Sequence, residues 1–285
     1  MKTYDGRVIK AVASKFFVDT SDGVKVCFAR KRLKNDGIIF VGDYVRIAKE
    51  RDSFVIEDVK PRKNCLIRPY VSNVDVCFIV IAPEPEPDFI LVDKVIVNCL
   101  AEGIEPILVK NKADLGAIDT SEYDGVVKQI ECSASTAENV SVLIEAAKGK
   151  TACFAGQSAV GKSSLLNAIL DSDELEVGEL TRKIKRGKNT TRKTEIFAVG
   201  NDTYFVDTCG FSMLEAAKIE PEELRLYFDD LEKYRPLCRF NMCVHIDEPD
   251  CEVKKHVGKE IGEGRYRRYK TIYDELIQRR ENKYD

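Results

Sequence analysis

The stretch Thr151-Ala152-Cys153-Phe154-Ala155-Gly156-Gln157-Ser158-Ala159-Val160-Gly161-Lys162-Ser163-Ser164 decides the fold. Its first five residues form an apolar run of strand character. The next eight match G-x-x-x-x-G-K-[ST], and SSLLNAIL, from Ser163 onward, reads as a helix. A strand that breaks into a glycine-rich turn and reopens as a helix is the context a phosphate-binding loop requires. Glycines let the backbone wrap an anion, and successive N–H groups with the positive end of the helix hold it. Residues Gly156, Gln157, Ser158, Ala159, Val160, Gly161, Lys162, Ser163 and Ser164 are therefore candidate nucleotide ligands. Lys162 is expected to pair with the β- and γ-phosphates, and the Ser163 hydroxyl to ligate Mg²⁺.

Outward from this loop, three short motifs choose the base and sense the phosphate. Asn111-Lys112-Ala113-Asp114 follows the apolar strand PILVK and has the N-K-x-D form. A carboxylate at Asp114 accepts both hydrogen bonds from the N1–H and amino group of guanine. Adenine lacks that donor pair and would leave the acid unpaired, which makes a strong discriminator. Lys112 is expected to cover the base plane with its aliphatic stem. Ser133-Ala134-Ser135 has the form of a loop that closes over guanine. Downstream, Asp207-Thr208-Cys209-Gly210 ends the strand TYFVD in a D-x-x-G pattern, with Asp207 expected to hold Mg²⁺ through water and the Gly210 N–H to sense the γ-phosphate. Each motif is short; four on one strand–helix domain read as a GTPase. Their order is unusual, because N-K-A-D and S-A-S precede the phosphate loop and D-T-C-G comes last. That is a circular permutation, which a compact sheet tolerates when its original termini lie close together.

The rest of the chain divides by charge. The 285 residues carry 45 basic and 48 acidic side chains, a net −3. Residues 1–68 carry net +7, residues 69–215 net −9, and residues 216–285 net −1. The first part alternates apolar and polar residues in five short runs separated by turn signals, which predicts a five-stranded barrel of OB type. The cluster Arg30, Lys31, Arg32 and Lys34 suits nucleic acid, and equally a solvated edge strand. From residue 70 strands alternate with helical stretches at about 88–101, 139–148 and 163–171, predicting a mostly parallel sheet covered on both faces. The longest apolar run, Val76 to Ala82, falls far short of the about 20 residues a spanning helix needs, so no membrane association is expected. MKTYDGRVIK lacks a signal core, and a cytoplasmic location is expected.

Ten cysteines in such a chain favour metal binding or buried thiols over disulfides. Cys238-x4-Cys243-x-His245-x5-Cys251 places three thiols and an imidazole within fourteen residues, a closed ligand set for one structural zinc ion. The tail RYRRYKTIYDELIQRR sets Tyr266, Tyr269, Tyr273, Leu276 and Ile277 at helical spacing, expected to pack on that module.

A permuted GTPase with a basic barrel before it and a Cys/His cluster after it resembles the ribosome small-subunit-dependent GTPase family (RsgA) over nearly the whole chain. The resemblance implies three domains: an OB-fold RNA-binding domain (1–68), a circularly permuted α/β GTPase domain (69–215) and a small, mostly helical zinc-binding domain (216–285). It implies GTP hydrolysis stimulated by the small ribosomal subunit late in maturation, with GTP/GDP, the subunit and its rRNA as partners. A monomer is expected. The family's first switch, G-R-H-T-T-T, corresponds to Gly187-Lys188-Asn189-Thr190-Thr191-Arg192, with Thr190 or Thr191 completing the Mg²⁺ shell in the GTP state. Two departures stand out: Asn189 replaces the family histidine, and Cys209 replaces the proline of D-T-P-G. Phe211 fills the position where other GTPases often place a water-orienting Gln. Slow intrinsic turnover is therefore expected. Two other readings remain open here, an RNA-binding scaffold that uses GTP as a ligand and a permuted GTPase of the large subunit.

Overall fold

The computed structural model describes residues 2–30, 33, 38–51, 53–67, 70–171, 194–200, 202–207 and 219–282. The five alternating segments at the start of the chain are strands β1 (Thr3–Val12), β2 (Lys15–Thr20), β3 (Lys25–Ala29), β4 (Tyr44–Glu50) and β5 (Ser53–Val59). Strand β1 pairs with β2 and β4, β2 with β3, β3 with β5, and β5 with β4. The ladder closes on itself, so the barrel leaves no open edge. Alternation sends Val8, Val18, Cys27, Val45, Ile47 and Ile56 into its core. Arg30 bonds Glu50 and Glu57 across neighbouring strands, which is the behaviour of a solvated, ion-paired strand end. Lys31, Arg32 and Lys34 lie outside the described residues.

A ribbon of β6 (Cys65–Ile67) and β7 (Tyr70–Ser72) leads to the second sheet. In chain order this part comprises β8 (Val76–Ile81), α1 (Phe89–Ala101), β9 (Glu105–Lys110), β10 (Lys128–Glu131), α2 (Val140–Ala146), β11 (Thr151–Ala155), α3 (Lys162–Asp171), β12 (Glu195–Ala198) and β13 (Tyr204–Asp207). Spatial order is β10-β9-β8-β11-β13-β12, parallel throughout except for β12. Every residue of β8 is buried, as a parallel strand covered on both faces requires. On one face Phe78, Phe154 and Phe205, from three adjacent strands, pack with ring centroids 5.5–6.3 Å apart beneath α2 and α3. The opposite face packs on α1.

The C-terminal module holds two 3-10 turns (Pro221–Tyr227 and Arg235–Leu237), the short α4 (Asp229–Glu232), α5 (Glu252–His256) and the long α6 (Glu263–Glu281). Phe228, Leu231, Val253, Ile261, Tyr269 and Ile272 form its core.

Two seams hold these parts together. Strand β1 shifts register against β2 between Val8 and Lys10. A bulge bends a strand and re-aims its side chains. Here Val8 faces the barrel core and Ile9 the core of the second sheet, while Lys10 pairs with Glu195 of β12. Gly42, at φ +99°, lies where an added Cβ would sit 2.2 Å from the Ser72 carbonyl oxygen, so only glycine fits. At the other seam Asp93 of α1 is fully buried and accepts from both Arg265 and Arg268 of α6.

Candidate nucleotide site and metal centre

The five parallel strands end at one edge of the sheet, and the motifs begin where they end. Strand β9 ends at Lys110, one residue before the N-K-A-D motif; β10 ends at Glu131, two before S-A-S; β11 runs directly into the phosphate loop, and β13 ends on Asp207. The carboxyl edge of an open α/β sheet is where such folds bind ligands. Sequence separation is cancelled by topology.

Asn111 joins three of these loops. It is 1% exposed, its Nδ2 donates to the Val160 carbonyl at 2.8 Å, and its Oδ1 accepts from the Ala134 N–H at 3.1 Å. Gly161, at φ +96°, passes so close that an added Cβ would meet Asn111 Nδ2 at 2.3 Å. Gly156 is equally constrained, at φ +125° against the Val80 carbonyl. Asp114 lies exposed at the rim, with Oδ1 accepting from the Ser133 hydroxyl, which also contacts Ser135 Oγ at 2.9 Å. The Ser133 hydrogen bond holds the Asp114 carboxyl below its ordinary value, so it is an acceptor at neutral pH. Ala134 and Ser135 thus share one loop corner with Asp114.

Lys112 adopts a left-handed backbone (φ +60°), and its Nζ donates to the Glu84 carbonyl at 2.7 Å. The neighbouring Glu86 carbonyl accepts from Gln157 Nε2, while Gln157 Oε1 accepts from the Asp88 N–H, so loop 83–88 is tied to both motifs. Lys162 Nζ donates to the Gly156 carbonyl at 2.7 Å and also to that of Gln157. Burial pushes this ammonium down from its ordinary value, a cost that an anion in the loop would offset. Ser158, Ala159, Ser163 and Ser164 are exposed on the loop and first helical turn, and Val160 is buried beneath them. Burial, and next the charge of Glu195, raise the Asp207 carboxyl above its ordinary value. A half-buried acid at the sheet edge and an exposed hydroxyl at the start of α3 are a donor set suited to a hard cation. Asn189, Thr190, Thr191, Cys209, Gly210 and Phe211 lie outside the described residues.

The second candidate centre is formed by Cys238, Cys243, His245 and Cys251, whose ligand atoms all lie within 4.8 Å of one another. Cys238 Sγ is 3.7 Å from His245 Nδ1 and 4.0 Å from Cys251 Sγ, and Cys251 Sγ is 3.4 Å from the same nitrogen. Four ligands at zinc distances in a tetrahedron stand about 3.4–3.8 Å apart. Two of these separations fall in that range and the third just beyond it, so the four residues could hold the ion. Burial drives the Cys243 thiol up to about 12 and lowers His245, so the imidazole is neutral and free to ligate. Tyr266 and Tyr269 of α6 donate to the His245 and Val244 carbonyls, both at 2.6 Å, and so fasten the cluster to the long helix.

Comparison with known proteins agrees with this geometry. The family model described as RsgA GTPase matches residues 59–217. The chain belongs to the RsgA GTPase family. A protein from Caldanaerobacter subterraneus subsp. tengcongensis named small ribosomal subunit biogenesis GTPase RsgA is 38% identical over 295 aligned residues, spanning 100% of this chain and 99% of the relative. The protein of that name from Thermotoga maritima is 40% identical over 253 residues, 85% of each chain. Among solved structures, YjeQ from Thermotoga maritima superposes with a TM-score of 0.80 at 34% identity, covering 97% of this chain and 99% of the other. YloQ, described as a circularly permuted GTPase, gives 0.75 at 31% identity over 98% and 96% of the two chains. The permutation read from this sequence thus has a solved relative described as permuted.

Three features of this chain escape a linear reading. Gln157 is more than a spacer in the phosphate loop, since it fixes the start of α1. The Asp93–Arg265–Arg268 group is buried, although charged helix residues usually read as surface. Lys10 and Glu195, 185 positions apart, form an ion pair.

Proposed function

We propose that this chain is a GTP phosphohydrolase that binds the small ribosomal subunit and hydrolyses GTP to GDP and phosphate late in the subunit's maturation. The observation that carries the reading is the meeting of the N-K-A-D, S-A-S, phosphate-loop and Asp207 segments at one sheet edge, braced by Asn111. Asp114, held as a carboxylate by Ser133, reads guanine; Lys112 covers the base; Ala134 and Ser135 close over it. The Gly156–Ser164 backbone cradles the phosphates, with Lys162 leaving its loop carbonyls for the β- and γ-oxygens. Ser163 and Asp207 hold the Mg²⁺ that accompanies GTP, an ion that neutralises charge on the phosphates. Thr190, Thr191, Asn189 and Gly210 are assigned here by their motifs alone.

The domain boundaries proposed are 1–68, 69–215 and 216–285. The first domain is an OB-type barrel that contacts rRNA, supported by its closed five-strand ladder and net +7 charge. The third is organised by one zinc ion on Cys238, Cys243, His245 and Cys251, which supplies a cross-link and no catalysis, because all four positions are taken by protein. A cytoplasmic monomer completes the proposal.

GTP turnover measured alone, with small subunits and with large subunits is the test. Slow turnover alone and strong stimulation by small subunits is expected, with Lys162→Ala abolishing both. Stimulation by large subunits alone would redirect the assignment. GTP-dependent subunit binding without turnover would make the chain a scaffold, the outcome that Phe211 and Asn189 keep in view.

A further inference from the structure

We propose that Lys10 and Glu195 are positioning residues for stimulated GTP turnover, linking the barrel to the strand edge that carries Asp207. The inference rests on the GTPase reading above and adds the route by which a partner on the barrel reaches the nucleotide. Lys10 of β1 lies directly opposite Glu195 of β12, and Glu195 lies directly opposite Asp207 of β13. Both pairs are antiparallel, and residues directly opposite in such pairs share a face with Cβ atoms about 4.5–5.5 Å apart. One row, Lys–Glu–Asp, therefore crosses three strands and two modules.

Its charges give the row direction. Glu195 and Asp207 are like charges directly opposite each other, a destabilising arrangement. Lys10 Nζ bonds both oxygens of Glu195, at 3.0 and 2.9 Å, and so draws that carboxylate toward the barrel. The two side chains are 21% and 13% exposed, shielded enough for the attraction to survive physiological salt. Among the described residues, this is also the one register contact between the ladder of the barrel and that of the second sheet.

Position completes the argument. Glu195 is the first residue of β12, on the strand that pairs with the one ending at Asp207. A displacement of β1 when the barrel docks is thus passed by a single ion pair to the residue directly opposite Asp207. The bulge between Val8 and Lys10 is where β1 can bend without opening the barrel.

The experiment uses the full chain as wild type, Lys10→Met, Lys10→Arg, Glu195→Gln and the Lys10→Met/Glu195→Gln double variant. Turnover is measured alone and across a titration of small subunits, with GDP affinity and thermal unfolding as controls. For Lys10→Met, GDP affinity and unstimulated turnover should stay within about twofold of wild type, while maximal stimulated turnover falls roughly fivefold or more. The subunit concentration giving half-stimulation should not change, because the barrel still binds. The double variant should lose no more than the worse single one, and Lys10→Arg should retain most of the stimulation. Unchanged stimulation in the single variants overturns the inference. So do losses that multiply in the double variant, or a fall in GDP affinity that matches the fall in rate. A wild type that small subunits fail to stimulate overturns the functional reading, and the inference with it.

Discussion

The barrel and the C-terminal module are attached to the nucleotide sheet in opposite ways. The barrel seam rests largely on backbone acceptors: Ser72 N–H donates to the Val41 carbonyl at 2.9 Å, the Arg7 guanidinium to the Gly42 and Asn73 carbonyls and Asn73 Nδ2 to the Gly42 carbonyl, with Gly42 lying against Ser72. The C-terminal seam is made of side chains. Asp93 takes both Arg265 and Arg268 and Glu122 takes Arg268 at 3.0 Å, while within the C-terminal module Asp230 steadies Arg265 at 3.2 Å. Arg265 also lies 4.2 Å above the Phe228 ring centroid. Burial alone lowers the Arg265 guanidinium, yet Asp93 and Asp230 more than offset this and hold it above its ordinary value. Where backbone carbonyls accept, losing one donor costs a hydrogen bond and leaves no buried carboxylate without its cation. A buried charge seam fails when one partner is removed. Among the described residues the barrel seam keeps one largely shielded ion pair across its ladders, Lys10 with Glu195.

The largest effect expected is metal removal. Structural zinc in finger-sized modules contributes about 10 kcal/mol or more to folding. Stripping it should release the Tyr266 and Tyr269 hydroxyls from their carbonyls and raise amide exchange in α5 and α6, with the barrel unchanged and zinc restoring protection. Protection that persists without metal would mean that packing alone holds the cluster. Next, Asp93→Ala should cost about 3–5 kcal/mol in denaturant unfolding, because two buried arginines lose their shared partner. Replacing Asp93, Arg265 and Arg268 together by apolar residues should recover most of that loss. Gly42→Ala should cost about 1–3 kcal/mol for the positive φ, with displacement of Ser72 added, read as faster amide exchange along β6 and β7. Smallest is Lys10→Met, worth about 1–2 kcal/mol in stability, because Glu195 keeps some access to water. A loss comparable to that of Asp93→Ala would erase the contrast between the seams.

How much of this was legible in the sequence follows from the reach of each interaction. The phosphate loop was readable because strand, glycines and helix are contiguous, and α3 begins at Lys162 as the motif requires. The barrel was readable because alternation is local, and its five strands fall on the five expected runs. The Cys/His cluster spans only fourteen residues. Asp93 was not readable as a buried acid, since its partners lie 172 and 175 positions away on a helix rich in exposed charge. Nothing local distinguishes Arg265 from Arg267; only the tertiary fold does. Lys10 hid within an alternating strand for the same reason.

Asn111 carries a consequence for the order of synthesis. As the chain is made, N-K-A-D and S-A-S appear first, and Val160 and Gly161 follow some fifty residues later. Until then the Asn111 side-chain amide lacks the Val160 carbonyl that accepts its hydrogen bond, and the base-reading half of the site cannot be finished. In the unpermuted arrangement the phosphate loop waits for the base loops. Here the dependence is reversed, and nascent chains halted before residue 160 should hold neither nucleotide half in its final form.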